Sequence, residues 1–316
     1  MIKWIKRLSI VALLLFGLLN FIIYNHAYRL THFVDKAVPK LNTEAIAKKS
    51  FWEKSKLAIM GTENPKLSQQ SMPDSLFEAF TIGNHPRLHA WWTETNTAAK
   101  GVVLLFHGYN SNKSSMLNRC RVFRKLGYHC LLVDFRGHGN SEGVVTSIGY
   151  HEAEDVHTAY RYIQTYHQNL PIILMGTSMG AVSILNAVSK YEMQLKKLII
   201  ECPFESMRTA VESRLDQLEL PTVVLADLLL FWGGIQNNMD CTAHNAAKYA
   251  SSVKVPTLMI YGQKDPKVSR SEINHVYHAL KGSKQLEVIE NAAHDQLMED
   301  DPETWTKVVW AFLENS

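Results

Sequence analysis

The hydrophobic pattern divides the chain into one uniformly apolar end and a long stretch of short apolar runs alternating with amphipathic segments. After Lys3, Lys6 and Arg7, the run Leu8 to Tyr24 has 17 residues without a charge. Its apolar positions surround the helix axis rather than favouring one face, which argues against a helix packed on a core. At 1.5 Å per residue it would span about 26 Å, slightly short of a hydrocarbon layer of about 30 Å. From about residue 25 to 75 the pattern turns polar and mixed, with an amphipathic helical stretch expected around Thr43 to Met60.

Leu76 to Thr81 and Leu88 to Thr93 then read as an antiparallel hairpin turned at Gly83-Asn84-His85-Pro86. Beyond it, strands alternate with helices. Strands are expected at Val102 to Phe106, Cys130 to Val133, Ile172 to Met175, Leu198 to Ile200, Thr257 to Tyr261 and Leu286 to Ile289. Helices are expected near Met116 to Leu126, Tyr150 to Tyr166 and Ala181 to Val188. Such alternation predicts an α/β fold, a mostly parallel central sheet with helices on both faces. Its functional loops belong at the carboxyl ends of the strands. The interval from Cys202 to Val255 lacks a strand signal and is too long for a plain connection.

Composition changes this picture little. An apolar content of 46% with 20% charged residues suits a globular protein with a sizeable core. A net charge of +3, with no basic stripe interleaved with aromatics, gives nucleic-acid binding no support. No Walker A loop or dinucleotide fingerprint occurs. Cys120, Cys130, Cys202 and Cys241 form no C-x-x-C pair. A Cys202–Cys241 disulfide is open to a domain facing an oxidising compartment, but the sequence does not assign it. His151, Glu152, Asp155 and His157 crowd one helix without the H-E-x-x-H spacing, so a solvated helix face is expected there and no metal site.

The chemistry sits in Gly176-Thr177-Ser178-Met179-Gly180, entered from an apolar run and left through a helix. That context makes the pentapeptide a nucleophile elbow, with Ser178 lifted clear of the sheet edge on a turn too tight for larger flanking side chains. Asp265 follows the run Thr257 to Tyr261, and His294 follows Leu286 to Ile289. The order Ser178, Asp265, His294, each just past a strand end, is the serine–acid–histidine order of a known hydrolase architecture. An alcohol is a poor nucleophile at neutral pH, so it needs a base and an orienting acid. Glu201, after Leu198 to Ile200, is the competing acid.

With the further segments Phe106-His107-Gly108-Tyr109-Asn110 and Asp134-Phe135-Arg136-Gly137-His138-Gly139-Asn140-Ser141, the chain resembles the α/β-hydrolases. It resembles in particular the monoacylglycerol lipase and esterase-like serine hydrolases, from about Phe77 to Leu313. The resemblance implies Ser178 as nucleophile, His294 as general base, Asp265 as its orienting acid, and an oxyanion hole from the amides of Tyr109 and Met179. It implies that Asp134 and His138 brace the sheet edge, and that the interval at about 203–255 is a small helical lid. Phe231 and Trp232 in that lid either wall an acyl chain or simply pack the lid down.

The organisation expected is a signal-anchor or transmembrane segment at 1–27, a linker and helical lead-in at 28–75, and the hydrolase domain at 76–316. The expected substrate is a lipid or small acyl carboxylic ester, with no cofactor. Thioesters or peptides attacked by the same triad, and a non-catalytic membrane-tethered binding protein, are the alternatives. The basic end should stay inside the membrane and the enzyme outside it, on the non-cytoplasmic side. A secreted or periplasmic product is the alternative, although Asn25-His26-Ala27 is a poor cleavage site. Oligomeric state is not legible.

Overall fold

The computed structural model describes residues 2–35, 49–294 and 296–315. Helix α1 (Ile2–Thr31) is followed by strand β1 (Phe33–Val34), helix α2 (Phe51–Met60) and strand β2 (Asn64–Pro65), which pairs with β1. Ser50 starts α2 through a capping box with Glu53, so helix begins at that serine. Residues 43–48, the first part of the amphipathic stretch expected from sequence, lie outside the described residues.

The main body runs in chain order from the hairpin β3 (Phe77–Ile82) and β4 (Leu88–Thr93) to β5 (Gly101–Phe106), α3 (Leu117–Lys125) and β6 (Tyr128–Val133). It continues with α4 (Glu152–Tyr166), β7 (Ile172–Thr177), α5 (Met179–Lys190) and β8 (Lys197–Glu201). Helices α6 (Met207–Asp216), α7 (Thr222–Asn237) and α8 (Ala246–Ala250) come before β9 (Thr257–Gly262), α9 (Arg270–Ala279), β10 (Lys284–Ile289), α10 (Leu297–Asp300) and α11 (Pro302–Glu314). The strands form one sheet in the order β10-β9-β8-β7-β5-β6-β4-β3. Only the pairs made by β4 are antiparallel. Every residue of β5, β7, β8 and β9 is buried, which is why they read as continuous apolar runs rather than alternating ones. The mostly parallel sheet wrapped by helices is the architecture expected.

The N-terminal segment does not stop at residue 27. At 30 residues α1 is long and apolar enough to cross a membrane, and its early side chains, such as Leu8, Leu13 and Phe16, are exposed. Its later turns are different. Ile23 and Ala27 are buried against Leu215, Ala226 and Leu229 of α6 and α7. Trp232 donates through Nε1 to Asn20 Oδ1 at 3.1 Å, and Gln236 donates to the Tyr24 carbonyl at 2.9 Å. Past the helix, Thr146 N–H donates to the Thr31 carbonyl and Phe33 N–H to the Val144 carbonyl. Residue 27 lies within α1, whose C-terminal end is hydrogen-bonded and packed onto the body.

Two other expectations are corrected. All four cysteines are buried free thiols, so Cys202 and Cys241 are not bridged. The face carrying His151, Glu152, Asp155 and His157 is not solvated. Glu152 is fully buried and accepts from Thr146, Ser147 and the Gly149 amide, while Asp155 accepts from Arg136. Charged residues are buried when every lone pair finds a donor, and here the 146–149 loop and Arg136 supply them.

His107 and His244 are fully buried. His107 donates through Nδ1 to the Gly108 carbonyl and accepts the Phe135 amide at Nε2, so protonation would cost it that acceptor. Burial pushes His107 down to about 3 and His244 down to about 4. The unfolded chain, with histidines near 6.5, takes up protons there that these two folded histidines refuse, so their contribution to stability falls as pH drops below that value. The pair contributes a loss of roughly 3 kcal/mol between pH 6.5 and 5, while the Asp155 carboxyl, which burial pushes up to about 7, takes up its proton in the folded chain over the same range and offsets part of it. Urea unfolding across that range checks this. His244→Gln should remove the part of the pH dependence that His244 contributes, and a variant whose stability changes with pH as the parent's does would contradict the account.

Candidate active site

The turn from β7 into α5 sets the position of Ser178. A Cβ on Gly176 would come within 2.5 Å of the Gly180 carbonyl carbon, and one on Gly180 would collide with the Phe106 carbonyl oxygen of β5. Strand, helix and neighbouring strand thus approach closer than any side chain permits. Ser178 takes up the remaining bend with φ 53° and ψ −114°, a conformation costing on the order of 1–3 kcal/mol for a residue with a Cβ. Its amide is satisfied by the Glu201 carbonyl of β8 at 2.8 Å.

The structure brings Ser178, His294 and Asp265 together. His294 Nε2 lies 2.8 Å from Ser178 Oγ, and His294 Nδ1 lies 2.6 Å from Asp265 Oδ2. The carboxylate can only accept, so Nδ1 carries the proton and Nε2 is left to accept from the serine hydroxyl. Burial alone would raise the Asp265 carboxyl. The hydrogen bond and charge of His294, with the Val268 and Lys267 amides on Oδ1, outweigh it and hold the group below its ordinary range. Asp265 therefore stays ionised beside a ring that can become cationic.

Glu201 is engaged elsewhere. Its buried carboxylate accepts from Arg119 Nε at 3.1 Å, Trp305 Nε1 at 2.6 Å and Thr177 Oγ1 at 2.7 Å. Asp134 likewise binds the Lys113 ammonium and amide and the Asn140 amide.

Cys202 places its sulfur with one ligand atom each of Asp265 and His294 inside 4.8 Å, a proximity that sequence spacing does not reveal. Burial, reinforced by the Asp265 charge, pushes the thiol well above its ordinary range, so the thiolate a metal requires is disfavoured. Asp265 and His294 already spend their facing atoms on each other.

A cavity of about 200 Å³ opens on Ser178 and His294. Tyr109 and Met179 line it, together with Leu30, Phe204, Met207 and Val211. Beside it lies a more polar cavity of about 470 Å³, which also reaches Tyr109, Arg214 and Lys267. Gly108 brings the loop after β5 against Ser178: a Cβ there would sit 3.7 Å from the serine Cβ. Phe231 and Trp232 are not among the residues lining either cavity. Phe231 is exposed, and Trp232 packs edge-on against Tyr24 of α1 at 5.3 Å. Of the two roles open to Trp232, packing is the one it has, though against α1 rather than the sheet.

A family model described as serine aminopeptidase, S33, matches residues 97–243, a stretch that holds Tyr109 and Ser178 but ends before Asp265 and His294. The protein YqkD of Bacillus subtilis is 27% identical over 67% of this chain and 71% of its own length. An uncharacterized membrane protein of Saccharomyces cerevisiae, YNL320W, is 25% identical over 44% of this chain, and the lysophosphatidylserine lipase ABHD12 of Macaca fascicularis 23% over 56%. The chain spans only about half of those last two relatives, 51% and 45%. Among solved structures, the esterase Pf2001 of Pyrococcus furiosus superposes with a TM-score of 0.66 at 22% identity, covering 79% of this chain and 96% of that one. The chain has the α/β-hydrolase fold, and esterases and a lipase are among the proteins it is similar to.

Removing the carboxylate in Glu201→Ala should take from Arg119, whose side chain is only 3% exposed, its buried partner and leave it the more exposed Glu299 at 3.4 Å. Breaking such a pair costs about 3–5 kcal/mol. Urea unfolding should record that loss, and a midpoint equal to the parent's would show that the network does not brace the sheet.

Proposed function

We propose that this chain is a serine hydrolase that cleaves carboxylic esters through an acyl-Ser178 intermediate. The observation that carries the reading is the hydrogen-bonded line from Ser178 Oγ through His294 to buried Asp265, opening on an apolar cavity. In this reading His294 takes the serine proton as Oγ attacks the ester carbon, then returns it to the departing alcohol. Asp265 holds the ring in the required tautomer and stabilises the imidazolium. The amides of Tyr109 and Met179 are assigned to the oxyanion, where each donor is worth on the order of 10²–10³ in rate. Water then repeats the cycle on the acyl-enzyme.

The two cavities suggest how an ester would lie. Its acyl chain suits the pocket formed by Leu30, Phe204, Met207 and Val211, and its alcohol the polar cavity with Asn110, Ser111 and Arg214. An ester with a polar or anionic alcohol fits best, and a relative named for lysophosphatidylserine points the same way. An aminopeptidase would need carboxylates for a substrate ammonium. Among the described residues lining the polar cavity the single carboxylate is Glu63, and it is paired with Arg29 at 3.2 Å.

In the same reading α1 anchors the chain in a membrane with Lys3, Lys6 and Arg7 inside and the domain outside, and residues 76–316 form the hydrolase domain with α6 and α7 as its lid. The full chain should hydrolyse p-nitrophenyl esters, and Ser178→Ala should abolish it. Asp265→Asn should lower kcat by about 10⁴. Turnover that survives Ser178→Ala would overturn the acyl-serine reading. Protease protection that leaves the domain reachable only from the cytoplasm would overturn the topology.

A further inference from the structure

We infer that the last turn of α1 is a working part of the substrate site: the Leu30 side chain walls the acyl pocket, and the Leu30 carbonyl positions the loop that carries the Tyr109 amide. The inference rests on the reading of Ser178 as acyl acceptor, and it assigns to the N-terminal helix a role beyond anchoring.

Leu30 lines the same cavity as Ser178, Met179 and His294, although 148 positions separate it from the serine. Its carbonyl accepts the Tyr109 hydroxyl at 2.6 Å. The phenol is deeply buried, and burial pushes it up to about 12, so it stays a neutral donor across the physiological range. Phe33, just past the helix, packs its ring 5.9 Å from that of Tyr109. Asn110 turns this loop through the left-handed region at φ 48°, a conformation asparagine adopts readily. Gly108 in the same loop lies against Ser178. A loop that lies this close to the nucleophile has its position fixed from outside itself, and the tether comes from α1.

The tether is itself firmly held. Asn237 donates to Thr31 Oγ1 at 3.1 Å, and the Thr31 carbonyl accepts the Thr146 amide at 2.9 Å. Ala27 is buried on α7 one turn earlier. The helix end is therefore fixed on the insertion, on the 144–146 segment and on the Tyr109 loop together. Leu30 is a specificity residue in this arrangement, and the Tyr109 hydroxyl is a positioning group.

The test uses the full chain in detergent micelles, with Leu30→Trp, Leu30→Ala and Tyr109→Phe beside Leu14→Ala, a change on the exposed part of α1. Kinetics on p-nitrophenyl esters from acetyl to dodecanoyl should show Leu30→Trp moving the optimum to shorter acids and Leu30→Ala to longer ones. Tyr109→Phe should lower kcat about tenfold on all esters with KM within about twofold, the signature of a displaced oxyanion donor rather than a lost pocket. Leu14→Ala should match the parent. A second readout needs no turnover: calorimetric binding of decanoate to the Ser178→Ala chain, which adding Leu30→Trp should weaken about tenfold. Unchanged decanoate affinity with an unchanged acyl-length profile would overturn the wall. A Tyr109→Phe chain with the parent's kcat, or one whose loss tracks a fallen melting temperature, would overturn the positioning. A parent without Ser178-dependent turnover would instead overturn the hydrolase reading, and decanoate binding would still decide the role of Leu30.

Discussion

Everything in this molecule is arranged around one close approach: helix α5 leaves β7 so tightly that Gly180 rests on the backbone of β5. The contact exists because β5 and β7 are neighbours in the sheet and because neither Gly176 nor Gly180 has a side chain. Its consequence is the positive φ of Ser178, a strained backbone that points one hydroxyl out of the sheet edge. Such strain persists only when its surroundings over-determine it. Here the buried strands on either side do so, and the Glu201 carbonyl holds the serine amide. The rigidity of the sheet is thus what permits a local conformation the pentapeptide would not adopt alone.

Two carboxylates follow neighbouring strands and have diverged by environment. Glu201, at the end of β8, is surrounded by donors that fix it: a guanidinium, an indole and a hydroxyl. It is a brace, and its partner Trp305 ties α11 to the sheet. Asp265, in the loop after β9, has backbone amides on one oxygen and His294 on the other. Its second oxygen is committed to a ring that can change charge. Residue type alone would not separate these roles; the partners do.

The sheet, the elbow and the meeting of Ser178, Asp265 and His294 were legible because their signals are local. A buried parallel strand writes itself as an unbroken apolar run, and a glycine-flanked serine at its end writes the turn. What sequence missed depends on partners far away. Nothing near Leu30 indicates Tyr109, and nothing near Trp232 indicates Asn20, some 212 positions distant. Apolar residues in α7 suited an acyl wall equally well until α1 was seen lying on them. Glu152 and Asp155 look solvated in sequence for another reason: the donors of Glu152 lie only three to six positions back, in the 146–149 loop, and Arg136 19 positions before Asp155, but residue type does not show that this loop folds over the helix start and buries it.

The two halves of α1 have different surroundings, and this bears on how an acyl chain would reach Ser178. Up to about Leu18 the helix shows apolar side chains to the outside, whereas from Leu19 onward it packs on α7. Tyr24 closes the charge-free run at the position suited to a membrane interface. Leu30 lies six residues further, about 9 Å along the axis. An α1 crossing a bilayer with Tyr24 at its surface would therefore hold the wall of the cavity little more than one and a half helical turns above the lipid. A flexible linker would leave that distance undefined, and the hydrogen bonds from Gln236, Asn237 and Thr146 leave no such linker. On the proposed ester reading, a water-insoluble acyl chain would then have only a short apolar path to cover, and the helix that set the depth of the enzyme would also shape the pocket receiving the chain.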